Sequence, residues 1–330
     1  MHARKESLNM TTTHSPNGSP RRHSLAGVLP IVHVPFDSRD RIDTADLKRE
    51  IDWIFAVGAS GLGTGMVSEV MRLDADERLQ LTDLLVEFTA GRGAVFVSVG
   101  AESTEVAQGH AVTAQRAGCD ALMAVPPMAT RLSSEAMVDY FSGIAESVSL
   151  PLIVQDASGY LGQPIPLAVY IQLLDRYGHE KILFKPEASP LGPNLSKLRD
   201  ASEGRAKIFE GSGGILLVDS YRRGIIGTMP GVDLLDAVVA LWRALEGDKD
   251  GDAIYRLSLP ISAIVALQMQ AGLDGFLAIE KYLLVKRGLF SSARRREPNS
   301  WSLDDETASE VDRLFVRLAE TVASPCDTRF

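Results

Sequence analysis

Residues 182–187 read Ile182-Leu183-Phe184-Lys185-Pro186-Glu187, three large apolar side chains in a row and then a charge. The run does not alternate, as a strand with one wet face would, so it reads as a strand buried on both faces of a parallel sheet. Seven runs of the same kind lie around it: Val28–Val34, Gly61–Val67, Ala94–Val99, Ala121–Val125, Leu150–Gln155, Lys207–Glu210 and Gly224–Met229. Helical patterns fall between them. Asp43 precedes a stripe of Ala45, Leu47, Ile51, Ile54 and Phe55; Asp74-Ala-Asp-Glu77 puts acid in a first turn, where the helix dipole favours it. Ser103-Thr-Glu105 and Ser133-Ser-Glu135 open two more. Eight strands, most followed by a helix at about 30 residues per repeat, give the count of an α/β fold of the (β/α)8 TIM-barrel type. A doubly wound dinucleotide-binding sheet would carry a glycine fingerprint after its first strand. Here that strand ends in His33-Val-Pro-Phe36.

After Pro230 the pattern turns helical, with amphipathic stretches over Leu234–Leu245, Ala253–Gln270, Phe276–Lys286 and Ser302–Leu318. The expected organisation is a disordered polar tail over 1–24, a barrel over 25–245 and a helical extension over 246–330 that packs on the barrel. The 330 residues are 45 % hydrophobic and 23 % charged, with a net charge of −9, which suits a large core and argues against a nucleic-acid partner. Cys119 and Cys326 are the two cysteines, too few for a disulfide scaffold or a four-cysteine zinc site. The tail has no apolar run for a signal peptide, and no stretch reaches the length of a membrane span. Arg4, Lys5, Arg21 and Arg22 leave a transit peptide as the other reading of the tail. No membrane partner and a cytoplasmic location are expected. The basic run Arg294–Arg296 reads as a solvated turn, and the histidines, with no pair at ligand spacing, as uninformative.

In a barrel of this type the active site lies at the C-terminal ends of the strands. Lys185 closes the sixth. Burial there disfavours the ammonium and supplies a neutral amine that can attack a ketone to form a Schiff base. The plain alternative is a lysine paired structurally with Glu187.

Several segments occur together in the order and spacing of one family: Gly27–Phe36, Gly65-Met-Val-Ser-Glu69, Leu73-Asp-Ala-Asp-Glu-Arg78, Ala117-Gly-Cys-Asp-Ala121, Pro151–Val154 and Phe184-Lys185. In these the chain resembles the dihydrodipicolinate synthase / N-acetylneuraminate lyase superfamily over about residues 25–290. The resemblance implies a (β/α)8 barrel with a C-terminal helical extension, self-association as a homotetramer or dimer, and a lysine imine between Lys185 and a 2-oxo acid. It implies no metal and no organic cofactor.

The departures from the synthase pattern point to a branch. The synthases carry two carboxylate-binding threonines where this chain has Met66 and Val67, leaving Ser68 as the nearby hydroxyl. The family's Pro-Tyr-Tyr is Pro126-Pro127-Met128 here, its Tyr-Asn is Gln155-Asp156, and its substrate-gripping arginine falls near Tyr160. Gln155-Asp-Ala157, Phe184-Lys185-Pro-Glu187, Glu210-Gly211 and Gly227-Thr228-Met229 are similar to the 2-keto-3-deoxy-sugar-acid dehydratases of the L-arabonate type. Dehydration, or aldol cleavage, of a 2-keto-3-deoxy sugar acid is the implied reaction.

Lys185, Ser68, Gln155 and Glu187 are then the candidate catalytic residues. Gly65, Met66, Val67, Met128, Tyr160, Gly211, Thr228 and Met229 are the candidate substrate-binding positions. Backbone N–H groups of Gly65–Ser68 would hold the substrate carboxylate, Ser68 would donate or relay a proton, and Gln155, which cannot titrate, would orient a water or hydroxyl. Glu187 or Glu69 would titrate, whereas Asp156 would point away. Three rival readings stand beside this one: a synthase-like aldolase of other specificity, a non-catalytic 2-oxo-acid sensor, and a phosphate-binding barrel enzyme that uses Gly211-Ser-Gly-Gly214.

Overall fold

The computed structural model describes residues 23–159, 161–247 and 251–323. The tail over 1–22, Tyr160 and Cys326 lie outside these residues. Among the described residues eight parallel strands run β1 Gly27–Val28, β2 Gly61–Gly63, β3 Ala94–Ser98, β4 Ala121–Ala124, β5 Leu152–Asp156, β6 Ile182–Pro186, β7 Phe209–Glu210 and β8 Gly227–Thr228. Ladders join β2 through β6 in sequence order and β7 to β8 to β1. Single bridges, Ile31 to Gly63 and Phe184 to Ile208, close the two arcs into a barrel.

The pleat divides each strand between two cores. Leu29, Phe96, Met123, Ile153, Leu183 and Phe209 fill the barrel interior. Val154 and Phe184 face outward into the larger core under the helices. Leu183 and Lys185 therefore share the inner face, and so do Ile153 and Gln155.

The helices follow their strands: α1 Thr44–Ala56, α2 Ala75–Thr89, α3 Thr104–Ala117, α4 Ser134–Ser147, α5 Leu167–Tyr177, α6 Leu191–Ala201, α7 Leu217–Arg222 and α8 Leu235–Glu246. The start signals hold. Asp43 caps α1 through the N–H groups of Ala45 and Asp46, Asp74 and Glu77 form a capping box on α2, and Ser103 and Ser133 cap α3 and α4. The stripe on α1 differs from the one expected. Ala45 is exposed, and Asp46 and Glu50 are buried beside Leu47, Ile51 and Ile54.

Three more helices follow: α9 Gly251–Met269, α10 Gly272–Lys286 and α11 Asp305–Ala323. α9 packs on α8, and α10 touches the short turn Met66–Ser68 that follows β2. No helix among the described residues is long and apolar enough to cross a membrane.

The basic run 294–296 is not a solvated turn, because its groups are spent inside the fold. The Arg296 guanidinium pairs with Glu77 and donates to the carbonyls of Arg72 and Asp40. Arg295 donates to the carbonyls of Asp274 and Trp301, and the Arg294 carbonyl accepts from Lys281 Nζ at 2.9 Å.

Candidate active site

Lys185 ends β6 inside the barrel mouth and is 3 % exposed. Its Nζ lies 3.2 Å from Glu187 Oε2, and Gln155, its register partner on β5, donates to that same oxygen at 2.6 Å. Pro186 does not break the alternation, so Glu187 returns to the side of Lys185. Burial pushes the Glu187 carboxyl above its ordinary range; Lys185 and Gln155 work against that shift, and the charge of Glu210 adds to it.

A small cavity opens at these groups. Met66 and Val67 form one wall, Lys185, Glu187 and Gly211 a second, and Met229, Gly231, Leu273, Phe276 and Glu280 the rest. Gly211 is required there, since a Cβ would stand 2.3 Å from both Lys185 Cε and Glu187 Oε1.

The remaining candidates sit close by in other roles. Ser68 Oγ donates to the Val32 carbonyl and accepts the Gly65 N–H at 3.1 Å, so its hydroxyl is spent on the backbone. Thr228 Oγ1 donates to Glu210 Oε2 at 2.6 Å. Met128 lies over the mouth in an apolar group with Met66 and Val125, and its N–H is held by Glu102. Asp156 accepts the N–H groups of Ser158 and Ile165, which orients the loop after β5. Donors of the Gly211–Gly214 loop are also committed, because the Ser212 N–H and hydroxyl both serve Glu210 Oε1. A carboxylate at that spot opposes a bound phosphate.

Glu69 follows the site turn at φ 54°, a left-handed conformation rare for a residue with a Cβ. It ion-pairs with Lys281 of α10 and with Arg72, and accepts the Arg296 N–H at 2.9 Å. Its oxygens thus anchor the turn to the C-terminal helices.

One part of the site has no counterpart among the candidates. His33, read as uninformative, is fully buried behind Glu280, which lines the cavity. Its Nε2 lies 2.7 Å from Glu280 Oε2, and its Nδ1 3.4 Å from Glu50 Oε1. Burial alone would lower the His33 pKa, but the charges of Glu280 and Glu50 overcome it and raise it from 6.5 to about 10. Asp233 lies close to this group, and burial together with the charge of Glu280 pushes its carboxyl up to about 7. The signal was present in the sequence: Glu280-Lys281 interrupts the apolar helix run Phe276–Val285, and a charge inside such a run is the informative exception.

A larger cavity, of about 1050 Å³, lies outside the barrel between α2 and α3. Arg78 and His110 line it, and burial with the charge of Arg78 holds His110 down to about 4. None of the candidate residues reaches it, so size does not mark the chemistry here.

A parallel (β/α)8 barrel whose mouth holds a buried lysine beside a carboxylate and an amide defines an α/β-barrel enzyme acting on a small molecule. The sequence profile of the dihydrodipicolinate synthetase family matches residues 24–183. L-2-keto-3-deoxyarabonate dehydratase of Azospirillum brasilense is 28 % identical over 298 residues, covering 88 % of this chain and 94 % of its own length. The 4-hydroxy-tetrahydrodipicolinate synthase of Agrobacterium fabrum is 31 % identical over 129 residues, 39 % of this chain and 44 % of its own. The crystal structure of dihydrodipicolinate synthase from Rhodopseudomonas palustris superposes with a TM-score of 0.79 at 28 % identity, covering 89 % of this chain and 98 % of that one. Over residues 24–183 the chain is similar to the dihydrodipicolinate synthetase family, and it is an enzyme of the lyase type found there.

Proposed function

We propose that Lys185 forms an imine with the C2 ketone of a 2-oxo acid, and that the reaction is dehydration of a 2-keto-3-deoxy sugar acid. The observation that carries this reading is Lys185 itself, a buried amine at a strand end, facing a cavity and 3.2 Å from a carboxylate. The amine adds to C2, water leaves, and the protonated imine draws electrons from C3. Glu187 takes the C3 proton, for which a carboxyl raised by burial is suited. The C4–O bond of the resulting enamine breaks, the hydroxyl leaves as water with the proton that Glu187 took from C3, and hydrolysis of the imine returns the lysine. Gln155 fixes the Glu187 carboxylate at 2.6 Å and takes no proton.

The substrate carboxylate goes to the N–H groups of Met66 and Val67, which open a helical turn and have no partner within it. Backbone donors replace the two threonine hydroxyls that the resemblance led one to expect. Met229 and Gly211 bound the substrate on the other side; Met128 and Thr228 belong to the surrounding shell of this reading. Dehydration is favoured over synthase-type condensation because Met66, Val67 and Gln155 stand where the resemblance puts the synthases' two threonines and their tyrosine. The reading requires no metal or organic cofactor, and it includes a cytoplasmic location and self-association as a dimer or tetramer.

Incubation with pyruvate or with a 2-keto-3-deoxy pentonate, followed by borohydride and peptide mass analysis, tests it. A reduced adduct is expected on Lys185, with release of water from the pentonate alone. No adduct with either acid would end the reading.

A further inference from the structure

The cavity has a second acidic wall that the reaction as written does not use. Glu280 of α10 lines it and is 2 % exposed. Its Oε2 is held by His33 Nε2 at 2.7 Å, and no hydrogen bond from the described residues reaches its Oε1. That oxygen points at Gly231: a Cβ there would stand 2.6 Å from Glu280 Oε1. The β8 loop thus leaves open the space the carboxylate faces. The side chain is buried while this oxygen faces the open cavity, where a bound ligand can supply the donor it lacks.

What the ligand must supply follows from the other groups present. His33 sits between two carboxylates and shares one positive charge between them, and Asp233 Oδ1 stands beside Glu280 Oε1 at Gly231, so this wall offers acceptors and calls for a hydrogen-bond donor. Leu273, Phe276, Ile31 and Met229 make the rest of this wall apolar. The wall therefore suits a carbon chain with a hydroxyl directed at one point.

We infer that Glu280 is a specificity-determining residue, whose free Oε1 accepts a hydrogen bond from a substrate hydroxyl beyond C3, so that the enzyme selects hydroxylated 2-oxo acids over plain ones. This rests on the imine reading of Lys185. Glu280 touches the substrate in this account, and His33 serves only to hold it. Adjacent positions on α10 divide the labour, since consecutive helical residues point about 100° apart. Glu280 faces the cavity while Lys281 faces Glu69.

Two five-carbon acids differing only in hydroxyls, 2-keto-3-deoxypentonate and 2-oxopentanoate, test the inference by half-saturation of borohydride trapping on Lys185. The unmodified enzyme should prefer the hydroxylated acid. A hydrogen bond to a charged acceptor is worth roughly 1.5–3 kcal/mol, so Glu280→Leu should erode that preference by about 10- to 100-fold. Glu280→Gln, which keeps the shape and one acceptor oxygen, should erode it less. Gly231→Ala, which pushes on Oε1 without touching the carboxylate's chemistry, should also erode it. Trapping of pyruvate, which has no hydroxyl to offer, serves as the reference within each variant, and circular-dichroism melts report that each variant folds. An unchanged preference in Glu280→Leu overturns the inference and leaves the imine reading standing. Failure of the unmodified enzyme to trap any of the three acids overturns both.

Discussion

Replacing Lys281 by methionine should cost about 3–5 kcal/mol of stability, because it strips the partner from a buried charge and leaves the charge behind. Lys281 is 0 % exposed, and its ammonium pairs with Glu69 while donating to the carbonyl oxygens of Val34 at 2.8 Å and Arg294 at 2.9 Å. Methionine fills nearly the same space over the Phe36 ring, whose centre lies 4.7 Å from the ammonium, so the cavity contribution is small. What remains is Glu69 Oε1 without its cation and two carbonyls without their donor. Arg72, 3.2 Å from Oε2, and the Arg296 N–H offset part of this. A chain of this size loses roughly 2 °C of melting temperature per kcal/mol, which gives a fall of about 6–10 °C in circular-dichroism melts. Glu69→Gln should fall by a similar amount. The double variant should lose at least about 1 kcal/mol less than the sum of the two, because neither charge is then stranded. A single-variant change under about 2 °C, or strict additivity, would refute the claim that this pair ties the site turn to α10.

Two further outcomes follow from the site. The His33 pKa is raised from 6.5 to about 10, so its protonation adds stability that is fully present below pH 6.5 and lost as pH rises through 10. Melting temperature should therefore decline between pH 7 and 10, and the slope should flatten in His33→Gln; equal slopes in the two proteins would contradict the assignment. Gly211→Ala places a methyl against two flexible side-chain ends rather than against backbone, so the melt should shift little. The rate of imine trapping should drop by about tenfold or more, since an ångström of misplacement is enough to cost that much. Normal trapping would show that Lys185 and Glu187 need not stand where they do.

Much of the barrel was legible because its signals are local. Non-alternating apolar runs, and Asp or Ser at helix starts, depend on neighbours in sequence, and the structure places β6 and the caps of α1 to α4 where those signals lie. Lys185 and Glu187 were legible for the same reason, as two residues of one strand. Strand ends were drawn too long. Val28–Val34 contains one residue of ladder and one bridge, and past Val28 the pairing continues as single backbone bonds such as Leu29 N–H to Thr228, Ile31 N–H to Pro230 and Gly63 N–H to Pro30. The charge of Glu280 inside an apolar run was legible, but its pairing with His33 was not. Glu50, His33 and Glu280 lie 17 and 247 residues apart along the chain, and no periodicity connects them. Ser68 misled for the opposite reason. A hydroxyl beside the expected threonine positions looked chemical, but local backbone geometry claims it. The basic run near residue 295 was read by composition alone, and composition does not report that a carboxylate of α2 waits for Arg296.

The wall contributed by α10 separates two tasks that many barrels assign to the same loops. The residues proposed for imine chemistry lie on β5, at the end of β6 and in the loop after β7. The far side of the cavity, with Leu273, Phe276 and Glu280, is written into a helix that begins after the eighth repeat is complete. Substitutions along one face of that helix would re-tailor the acids this enzyme accepts while the strands and their lysine stay as they are. Substrate range is in that sense a modular trait of the chain, carried by a stretch of about four turns at the barrel's rim.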